Sequence, residues 1–411
     1  MTASRGAGAD FRLLVLNRVV RAFGFGFGGV LIGLQLQARG LSPTWIGLTL
    51  TLSLGAASLL GLVLAAAAAR YGRRVSLAAT GVLMALAGLD LAFATSPGLL
   101  VLAGLTGMTG ASNIDLGPFL ALEQAVLTES VDDRRRNLAF GRYSLIGALA
   151  GAGGGLAAGL ASGPRQLELA FAAFAAIGLV TAVLPLLLSR AVEAELKAPA
   201  FGSFRPLAGL SALFALDSFG GGLVATSVVA YWLHVRFGAE AALLGPSFAA
   251  ISLVQAASYE LAGRMSNWIG LVNTMVFTHL PSNVLLILVA FSPSFPVALA
   301  LLLARNAISQ MDIPARQAYI ASIVPPEERA GALAVTGAVR GVAQAFGPLL
   351  AGLAIQGAAL GVPFILGGSV KIVYDLGLYA GFRSRAAEHE AAARRRRAHA
   401  DTSGAPSRPR G

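Results

Sequence analysis

Residues 303–322 read LARNAISQMDIPARQAYIAS, an apolar stretch that contains Arg305, Asp312 and Arg316. Its length suffices for a helix that crosses the hydrocarbon core of a bilayer, which takes about 20 residues. A charge at that depth costs about 2.5–3.5 kcal/mol on insertion scales, and charges kept there generally serve a function. Asp312 and Arg316 share one helix face, because residues four apart are neighbours on a helix. The stretch predicts a membrane-spanning helix with a functional polar face.

The composition of the whole chain indicates a membrane protein. Of 411 residues, 56% are hydrophobic and 12% are charged, whereas soluble domains carry about 25% charged residues. The chain has no cysteine and only four scattered histidines, so we expect neither a metal nor a cofactor. The net charge of +11 could indicate nucleic acid, but the basic residues lie beside the apolar stretches. We therefore expect a lipid bilayer, and no nucleic acid, as the partner.

Apolar stretches long enough to cross a bilayer recur along the chain, and they do not alternate as membrane β-strands would. The predicted fold class is an all-α polytopic membrane protein with twelve transmembrane helices. Spans 1 to 12 are expected near residues 13–36, 44–69, 75–95, 99–127, 138–161, 167–189, 207–233, 242–264, 271–292, 297–322, 331–356 and 361–382.

The distribution of lysine and arginine predicts the orientation. On the side of both termini the connecting segments hold 21 Lys and Arg, and on the other side only Arg39, Arg165 and Arg236. Because basic loops stay in the cytoplasm, we expect a multi-pass protein of the plasma (inner) membrane with both termini cytoplasmic. The tryptophans all fall at span ends, where interfacial aromatics are expected: Trp45, Trp232 and Trp268.

The longest connection between spans divides the chain into two halves. Residues 190–206 are charged and contain prolines, which predicts a cytoplasmic linker. Residues 1–189 and 207–385 would then form two six-helix bundles. Residues 386–411 are rich first in Ala and Arg and then in Gly, Ser and Pro, and we expect a disordered basic tail there.

The two halves show a weak internal repeat. A shift of 193 residues places Arg136, Gly154 and Gly159 on Arg329, Gly347 and Gly352, and a shift of 198 places Gly72 on Gly270. Repeated six-span units are typical of transporters whose site lies near the midplane between them. The first shift also sets Glu123 opposite Arg316, where they could bond across the halves, although chance produces such matches too.

The chain resembles the major facilitator superfamily over about residues 11–385. The resemblance rests on six plus six spans, both ends inside, a charged middle loop and the sequence ARYGRR between spans 2 and 3. The family motif there is Gly-x-x-x-Asp-Arg-x-Gly-Arg-Arg/Lys, and Ala65 and Ala69 replace its glycine and aspartate. The matching residues are Arg70, Gly72, Arg73 and Arg74. The glycine-rich span 5 and Gly347–Pro348 of span 11 are similar to features of the family's drug/proton antiporters.

The resemblance implies that spans 1, 4, 7 and 10 line a central cavity. It thereby selects candidates for substrate binding or proton coupling: Arg21, Asp115, Asp217, Arg305, Asp312 and Arg316. Candidates for gating or contact between the bundles are Glu123, Arg70, Arg73 and Arg74. The hypothesis is that Asp312 or Asp217 binds the coupling proton while arginines bind an anionic part of the substrate.

Other polar and flexible positions carry structural expectations. Lys371 and Asp375 are spaced to neutralise each other within span 12, and His279 is expected to be a packed polar residue rather than a proton relay. Glycines 220–222, which follow Asp217, could loosen span 7, and Pro314 favours a kink in span 10.

These features favour a secondary active transporter of a small solute that works by alternating access, with a monomer expected. Proton coupling and efflux of a drug or metabolite are favoured; the alternatives are a uniporter or importer of an organic anion, or a non-transporting membrane sensor. An enzyme is not expected, because the spans lack a nucleophile–base set. The chain also lacks a GxxxxGK[ST] phosphate-binding loop for ATP.

Overall fold

The computed structural model describes residues 2–111, 119, 123, 136–193, 205–312, 316, 319, 324 and 329–403. In the N-terminal half the helices are Thr2–Ala38, Pro43–Tyr71, Arg73–Phe93, Pro97–Gly104, Arg136–Ala158 and Pro164–Val183. In the C-terminal half they are Arg205–Leu223, Thr226–Phe237, Ala241–Ile269, Leu271–Val289, Phe295–Ser309, Arg329–Ala345, Gly347–Gln356 and Val362–Ser403. Short 3-10 segments, Leu184–Leu187 and Arg190–Val192, follow span 6.

Nine segments in the described part of the chain are long and apolar enough to cross a membrane. They correspond to predicted spans 1, 2, 3, 6, 7, 8, 9, 11 and 12. Spans 4 and 10 continue into residues outside the described ranges, and Asp115 and Pro314 lie there. Span 5 forms the helix Arg136–Ala158, whose glycines and arginines lower its hydropathy.

The span ends fall on two faces of the molecule, because successive spans run in opposite directions. We call the face with residues 10, 72 and 189–193 the terminal face, and the backbone N–H of Ser189 donates there to Asp10 Oδ1 at 2.8 Å. We call the face with residues 39–43 and 357–361 the distal face. Under the predicted orientation, the terminal face is cytoplasmic.

The internal repeat is visible in the backbone at Gly72 and Gly270, the links between spans 2 and 3 and between spans 8 and 9. Gly72 has φ 88° and ψ 158°, and Gly270 has φ 90° and ψ 164°. A positive φ of this kind favours glycine, which has no Cβ. The two halves therefore make the same turn at the predicted equivalent positions.

Helix packing repeats as well. A Cβ added to Gly154 of span 5 would lie 2.0 Å from the carbonyl oxygen of Phe23 in span 1. A Cβ added to Gly347 of span 11 would lie 2.1 Å from the carbonyl carbon of Gly222 in span 7. The equivalent glycines thus let equivalent helices touch backbone to backbone.

Span 12 extends further than expected. Its helix continues to Ser403, into the segment from residue 386 for which the composition predicted disorder. Alanine, glutamate and arginine dominate this segment, and they are good helix formers. The segment also extends a helix that already exists, so it avoids the unfavourable nucleation step.

Trp232 corrects the expectation of three interfacial tryptophans. Trp45 and Trp268 are 51% and 81% exposed, but Trp232 is only 1% exposed. Its indole N–H donates to the Leu360 carbonyl oxygen at 2.7 Å, and its ring packs on Phe364 at 4.4 Å between centroids. A tryptophan at a span end can therefore anchor another loop rather than the lipid interface.

Candidate functional site

Spans 4, 7 and 10 are interrupted in their interior, and the helix of span 11 also has a short break at Phe346. The helix of span 4 ends at Gly104, and residues 105–111 follow without regular helix. Span 7 breaks between Leu223 and Thr226, just after the glycines that predicted loosening there. The helix of span 10 ends at Ser309. Irregular backbone at membrane depth requires burial in protein or a cavity, and broken helices at corresponding positions of two repeats mark transporter sites.

The breaks of spans 4 and 7 contact each other. Ser227 Oγ, at the start of the second helix of span 7, donates to the Ala111 carbonyl oxygen at 3.1 Å. The hydroxyls of Thr109 and Ser53 lie 2.6 Å apart. Gly107 and Gly110 adopt φ 65° and 77°, the conformation that lets the chain turn here. The break of span 4 is thus held between span 2 and the opposite half.

A buried ionic network lies on the terminal side of the break in span 7. At its centre Asp217 is 4% exposed. Its Oδ1 accepts from Lys371 Nζ at 2.6 Å, and its Oδ2 accepts from Arg316 Nη1 at 3.3 Å. His279 Nε2 lies 3.7 Å from Oδ1. Spans 7, 9, 10 and 12 therefore converge on one carboxylate.

The predicted pair of span 10 forms. Arg316 Nη1 lies 3.0 Å from Asp312 Oδ2, and both residues are buried. The same nitrogen reaches Asp217, so one guanidinium nitrogen, which carries two hydrogens, is shared by carboxylates of spans 7 and 10. An aromatic shell of Phe214, Tyr319 and Tyr374 belongs to the surrounding apolar cluster.

Lys371 and Asp375 do not neutralise each other as expected. Lys371 pairs with Asp217, whereas Asp375 accepts from His279 Nδ1 at 2.8 Å and from Asn283 Nδ2 at 2.8 Å. Packing between spans 7, 9 and 12 offers each side chain a partner on another helix, and these contacts prevail over the spacing within span 12.

Two further arginines adjoin the network. Arg340 of span 11 donates its Nε–H to Ser218 Oγ at 3.0 Å. Among the described residues Arg305 forms no ion pair, and its buried Nε has no hydrogen-bond partner there. Arg305 is thus a cation of span 10 whose side chain is available to a ligand.

The N-terminal half has its own charged cluster. Arg21 Nη1 and Nη2 donate to the two carboxylate oxygens of Glu123 at 2.6 and 2.7 Å, and the Tyr143 hydroxyl donates to the same carboxylate. Arg21 also lies over the Phe119 ring, 3.4 Å from its centroid. The expected bond between Glu123 and Arg316 is not formed. Glu123 pairs with Arg21 through both carboxylate oxygens, and Arg316 pairs with two carboxylates of its own half.

The basic loop between spans 2 and 3 contacts the N-terminal half and the start of the linker. Glu193 Oε2 and Oε1 accept from the backbone N–H groups of Arg73 and Arg74 at 2.5 and 3.1 Å. A carboxylate is favourable at a helix N-terminus, where N–H groups are unpaired. The Arg74 side chain donates to the Leu186 carbonyl oxygen. The predicted role of this loop in gating or contact between the bundles stays a prediction, and for Arg70 the described contact is with the Tyr71 ring.

The two halves meet near the distal face through paired glycines. A Cβ on Gly352 of span 11 would lie 2.4 Å from the Pro43 carbonyl oxygen and 3.0 Å from Gly47 Cα of span 2. A Cβ on Gly245 of span 8 would lie 2.5 Å from the Gly159 nitrogen of span 5. Gly47 and Gly245 are 198 residues apart, so the two contacts are equivalent under the repeat.

Hydrogen bonds reinforce this distal contact. The backbone N–H of Leu349 donates to Thr51 Oγ1 at 3.0 Å, and that of Thr44 donates to Gln356 Oε1 at 3.2 Å. Spans 2 and 11 are thereby fastened to each other. The structure has its halves closed together on the distal side.

Sequence reasoning found Asp217, Asp312 and Arg316 but missed the part played by His279, Asn283 and Asp375. A signal was present: His279 and Asn283 are four residues apart, on one face of an apolar helix. A histidine and an amide on one face predict a polar partner on a neighbouring helix, which here is Asp375.

Comparison with known proteins completes the assignment. The Major Facilitator Superfamily model matches residues 14–280 and 210–409. An uncharacterized membrane protein of Saccharomyces cerevisiae is 23% identical over 417 residues, covering 90% of this chain and 93% of that protein.

Solved structures share the fold. A D-xylose–proton symporter superposes with a TM-score of 0.71 at 15% identity, covering 90% of this chain and 96% of that one. The nucleoside transporter NupG gives 0.71 at 15% identity, with 91% and 99% covered. A bacterial homolog of the human lysosomal transporter Spinster, in an inward-facing and unoccupied conformation, gives 0.65 at 18% identity, with 94% and 97% covered. This chain, with twelve membrane helices in two six-helix bundles, belongs to the Major Facilitator Superfamily and is a secondary transporter of small solutes rather than an enzyme.

Proposed function

We propose that this transporter couples solute movement to a proton gradient and exports a drug or metabolite. The observation that carries the proposal is the sharing of Arg316 Nη1 between Asp312, at 3.0 Å, and Asp217, at 3.3 Å. Intramembrane acids and bases paired in this way are typical of proton relays in transporters. The glycines of span 5 and Gly347–Pro348 support the exporter assignment through their similarity to antiporters of the family.

A proton on Asp312 would release Arg316. An ionised carboxylate only accepts hydrogen bonds, and a protonated one also donates. Protonation of Asp312 would therefore weaken its contact with Arg316 and leave the guanidinium to Asp217 or to an anionic group of the solute. Because Asp217 lies three residues before the glycines of the broken span 7, a change in its partners acts close to the break.

Alternating access requires the distal contact to open. The backbone contacts at Gly47/Gly352 and Gly159/Gly245 are the places where the halves would slide and part. Their equivalence under the repeat fits a rocking motion of one half against the other.

The test is flux in proteoliposomes with and without a pH gradient, using a solute identified by thermal stabilisation of the purified protein. We expect gradient-driven flux in the unmodified protein and its loss in Asp312→Asn, at normal expression. Asp90→Asn is the matched control, since Asp90 is also an acid within a span but lies in span 3. Unchanged gradient-driven flux in Asp312→Asn would remove Asp312 from coupling, and flux indifferent to the gradient in the unmodified protein would remove proton coupling altogether.

A uniporter or importer of an organic anion is the second candidate, and Arg305 favours it. A half-buried cation without an ion pair among the described residues is suited to a carboxylate or phosphate group. This candidate predicts flux of an anion without a pH gradient and its loss in Arg305→Gln. Cationic solutes that bind equally well in both proteins would argue against it.

We also propose that the protein is a monomer of the plasma membrane whose terminal face is cytoplasmic. The absence of cysteine makes a labelling test clean. An impermeant maleimide applied to intact cells should label Thr95→Cys on the distal face and leave Ala69→Cys, near the terminal face, unlabelled; both positions are exposed. The reverse pattern would refute the orientation.

A further inference from the structure

His279 is buried between two carboxylates of the C-terminal half, those of Asp217 and Asp375. It lies in span 9 and is 3% exposed, while Asp375 and Asn283 are 0% exposed. Its partners belong to spans 7, 9 and 12 of the C-terminal half. The site is therefore enclosed within one bundle, and a solute moving between the bundles would not need to touch it.

The hydrogen bonds of His279 leave its Nε2 atom able to bind one more proton. Asp375, when ionised, only accepts hydrogen bonds, so the 2.8 Å contact with His279 Nδ1 places a hydrogen on that nitrogen. Asn283 Nδ2 also lies 3.2 Å from Nδ1 but donates to Asp375 Oδ2 at the shorter distance of 2.8 Å. A neutral imidazole then has a lone pair on Nε2, and this atom faces Asp217 Oδ1 at 3.7 Å. Two acceptors face each other there, and a proton on Nε2 would turn the contact into a charged hydrogen bond.

The ionisable groups around His279 determine the effect of a proton on Nε2. The ionisable side chains on the helices near His279 are Asp375, Lys371 and Tyr374 of span 12, Asp217 of span 7, and Arg305, Asp312 and Arg316 of span 10. Span 8 also packs on span 9, but none of its described side chains is ionisable. The Tyr374 ring lies edge-on, 5.9 Å from the imidazole centroid.

Asp217 Oδ1 is the atom at which two cations compete. Lys371 Nζ already contacts it at 2.6 Å, and a protonated His279 would be drawn to the same oxygen. A second donor on Oδ1 weakens the hydrogen bonds that this carboxylate already accepts, including the one from Arg316 Nη1 to Oδ2. Arg316 would then pair more closely with Asp312, the acid of span 10.

We propose that His279 and Asp375 form a second proton-binding site, away from the solute path, whose occupancy sets how Asp217 divides its contacts between Lys371 and Arg316. The inference rests on the proposed function, because it adds a second site to the proton coupling assigned to Asp312. It gives spans 9 and 12, which lie outside the predicted cavity helices, a part in coupling.

The chain contains only four histidines, so NMR of protein labelled with 15N-histidine can observe the site directly. In the full-length protein in lipid, we expect one imidazole to gain a second N–H proton as the pH is lowered. That signal should vanish in His279→Gln and should change over a different pH range in Asp375→Asn. An imidazole of His279 that keeps one protonation form throughout would overturn the inference.

A second measurement links the site to the conformation. Spin labels on Thr95→Cys and Ala359→Cys, exposed positions of the two halves on the distal face, report the distal opening as a distance. We expect the change of this distance with pH to fall at least by about half in His279→Gln, because one of two proton-binding groups is lost. Asp90→Asn is the control that should leave it intact.

The outcomes separate the two proposals. If His279→Gln responds to pH as the parent does while Asp312→Asn does not respond, the second site is refuted and the coupling through Asp312 stands. If the parent shows neither a distance change nor flux that depends on pH, proton coupling itself is refuted. Asp375→Asn repeats the distance test with a side chain of the same size, in case His279→Gln does not fold.

Discussion

Asp217 is the buried carboxylate of the C-terminal half that contacts more of the described basic side chains there than any other. Lys371 and Arg316 both bond to its carboxylate, and His279 lies next to it. Burying charges costs several kcal/mol per ion, and only close partners offset that cost. The stability of this half is therefore tied to the same carboxylate that we place in the coupling network.

Replacing Asp217 by Ala should destabilise the protein by about 3–5 kcal/mol, because it leaves Lys371 and Arg316 buried without their shared partner. The double variant Asp217→Ala/Lys371→Met should recover part of the loss, since one uncompensated cation is removed. Thermal unfolding of the detergent-solubilised protein, followed by tryptophan fluorescence, measures both.

The matched control is Glu168→Ala, which breaks a partly exposed ion pair with Arg39 at 3.1 Å. Exposed pairs contribute about 0–1 kcal/mol, so this variant should unfold close to the parent. Equal losses in Asp217→Ala and Glu168→Ala, or no recovery in the double variant, would show that Asp217 does not hold the network.

Some contacts of this network could be predicted from sequence and others could not. Asp312 and Arg316 are four residues apart in one helix, so local spacing predicts their contact. Lys371 and Asp217 are 154 positions apart, and only the packing of span 12 on span 7 joins them. The rule that predicted a bond between Lys371 and Asp375 describes helix surfaces, where such pairs contribute about 0.2–0.5 kcal/mol, and stronger contacts between helices outweigh it.

At the scale of elements, glycines decide where helices break and where they touch. Glycines 220–222 predicted the break of span 7 because they follow a buried charge. The break of span 4 was not predicted, since Gly107 and Gly110 resemble the many packing glycines of membrane helices. What distinguishes them is a positive φ, which becomes visible only in the folded chain.

Gly352→Val should prevent full closure of the distal face, because its side chain would overlap the Pro43 carbonyl oxygen and Gly47. The distance between spin labels on Thr95→Cys and Ala359→Cys should lengthen, and uptake or efflux should fall about tenfold or more. A tenfold loss of transport corresponds to about 1.4 kcal/mol.

Gly337→Val is the matched control in the same span. A Cβ at Gly337 has no neighbour within 4 Å, so the substitution adds bulk without touching the distal contact. A distance distribution that shifts equally in both variants would mean that Gly352 has no special place in closure.

At the scale of the whole molecule, two equivalent halves close on one face. The match of Gly154 with Gly347, and of Gly47 with Gly245, shows that the repeat read from sequence has a structural counterpart. Apart from Arg136 and Arg329, its register was visible at glycines, because these positions tolerate no side chain while the lipid-facing positions accept many apolar residues. The bond suggested between Glu123 and Arg316 is not formed, since Glu123 pairs with Arg21 and Arg316 pairs with Asp217 and Asp312.

The central claim is that protons shift the halves between two alternating conformations. It is tested most directly by two spin-label distances in the same lipid-reconstituted protein, measured from about pH 9 to about pH 5. Thr95→Cys with Ala359→Cys reports the distal face, and Ala69→Cys with Gly381→Cys, also exposed, reports the terminal face. Our account predicts that one distance lengthens as the other shortens, and that Asp312→Asn reduces both changes. Distances that stay constant with pH, or that change together in the same direction, would contradict it.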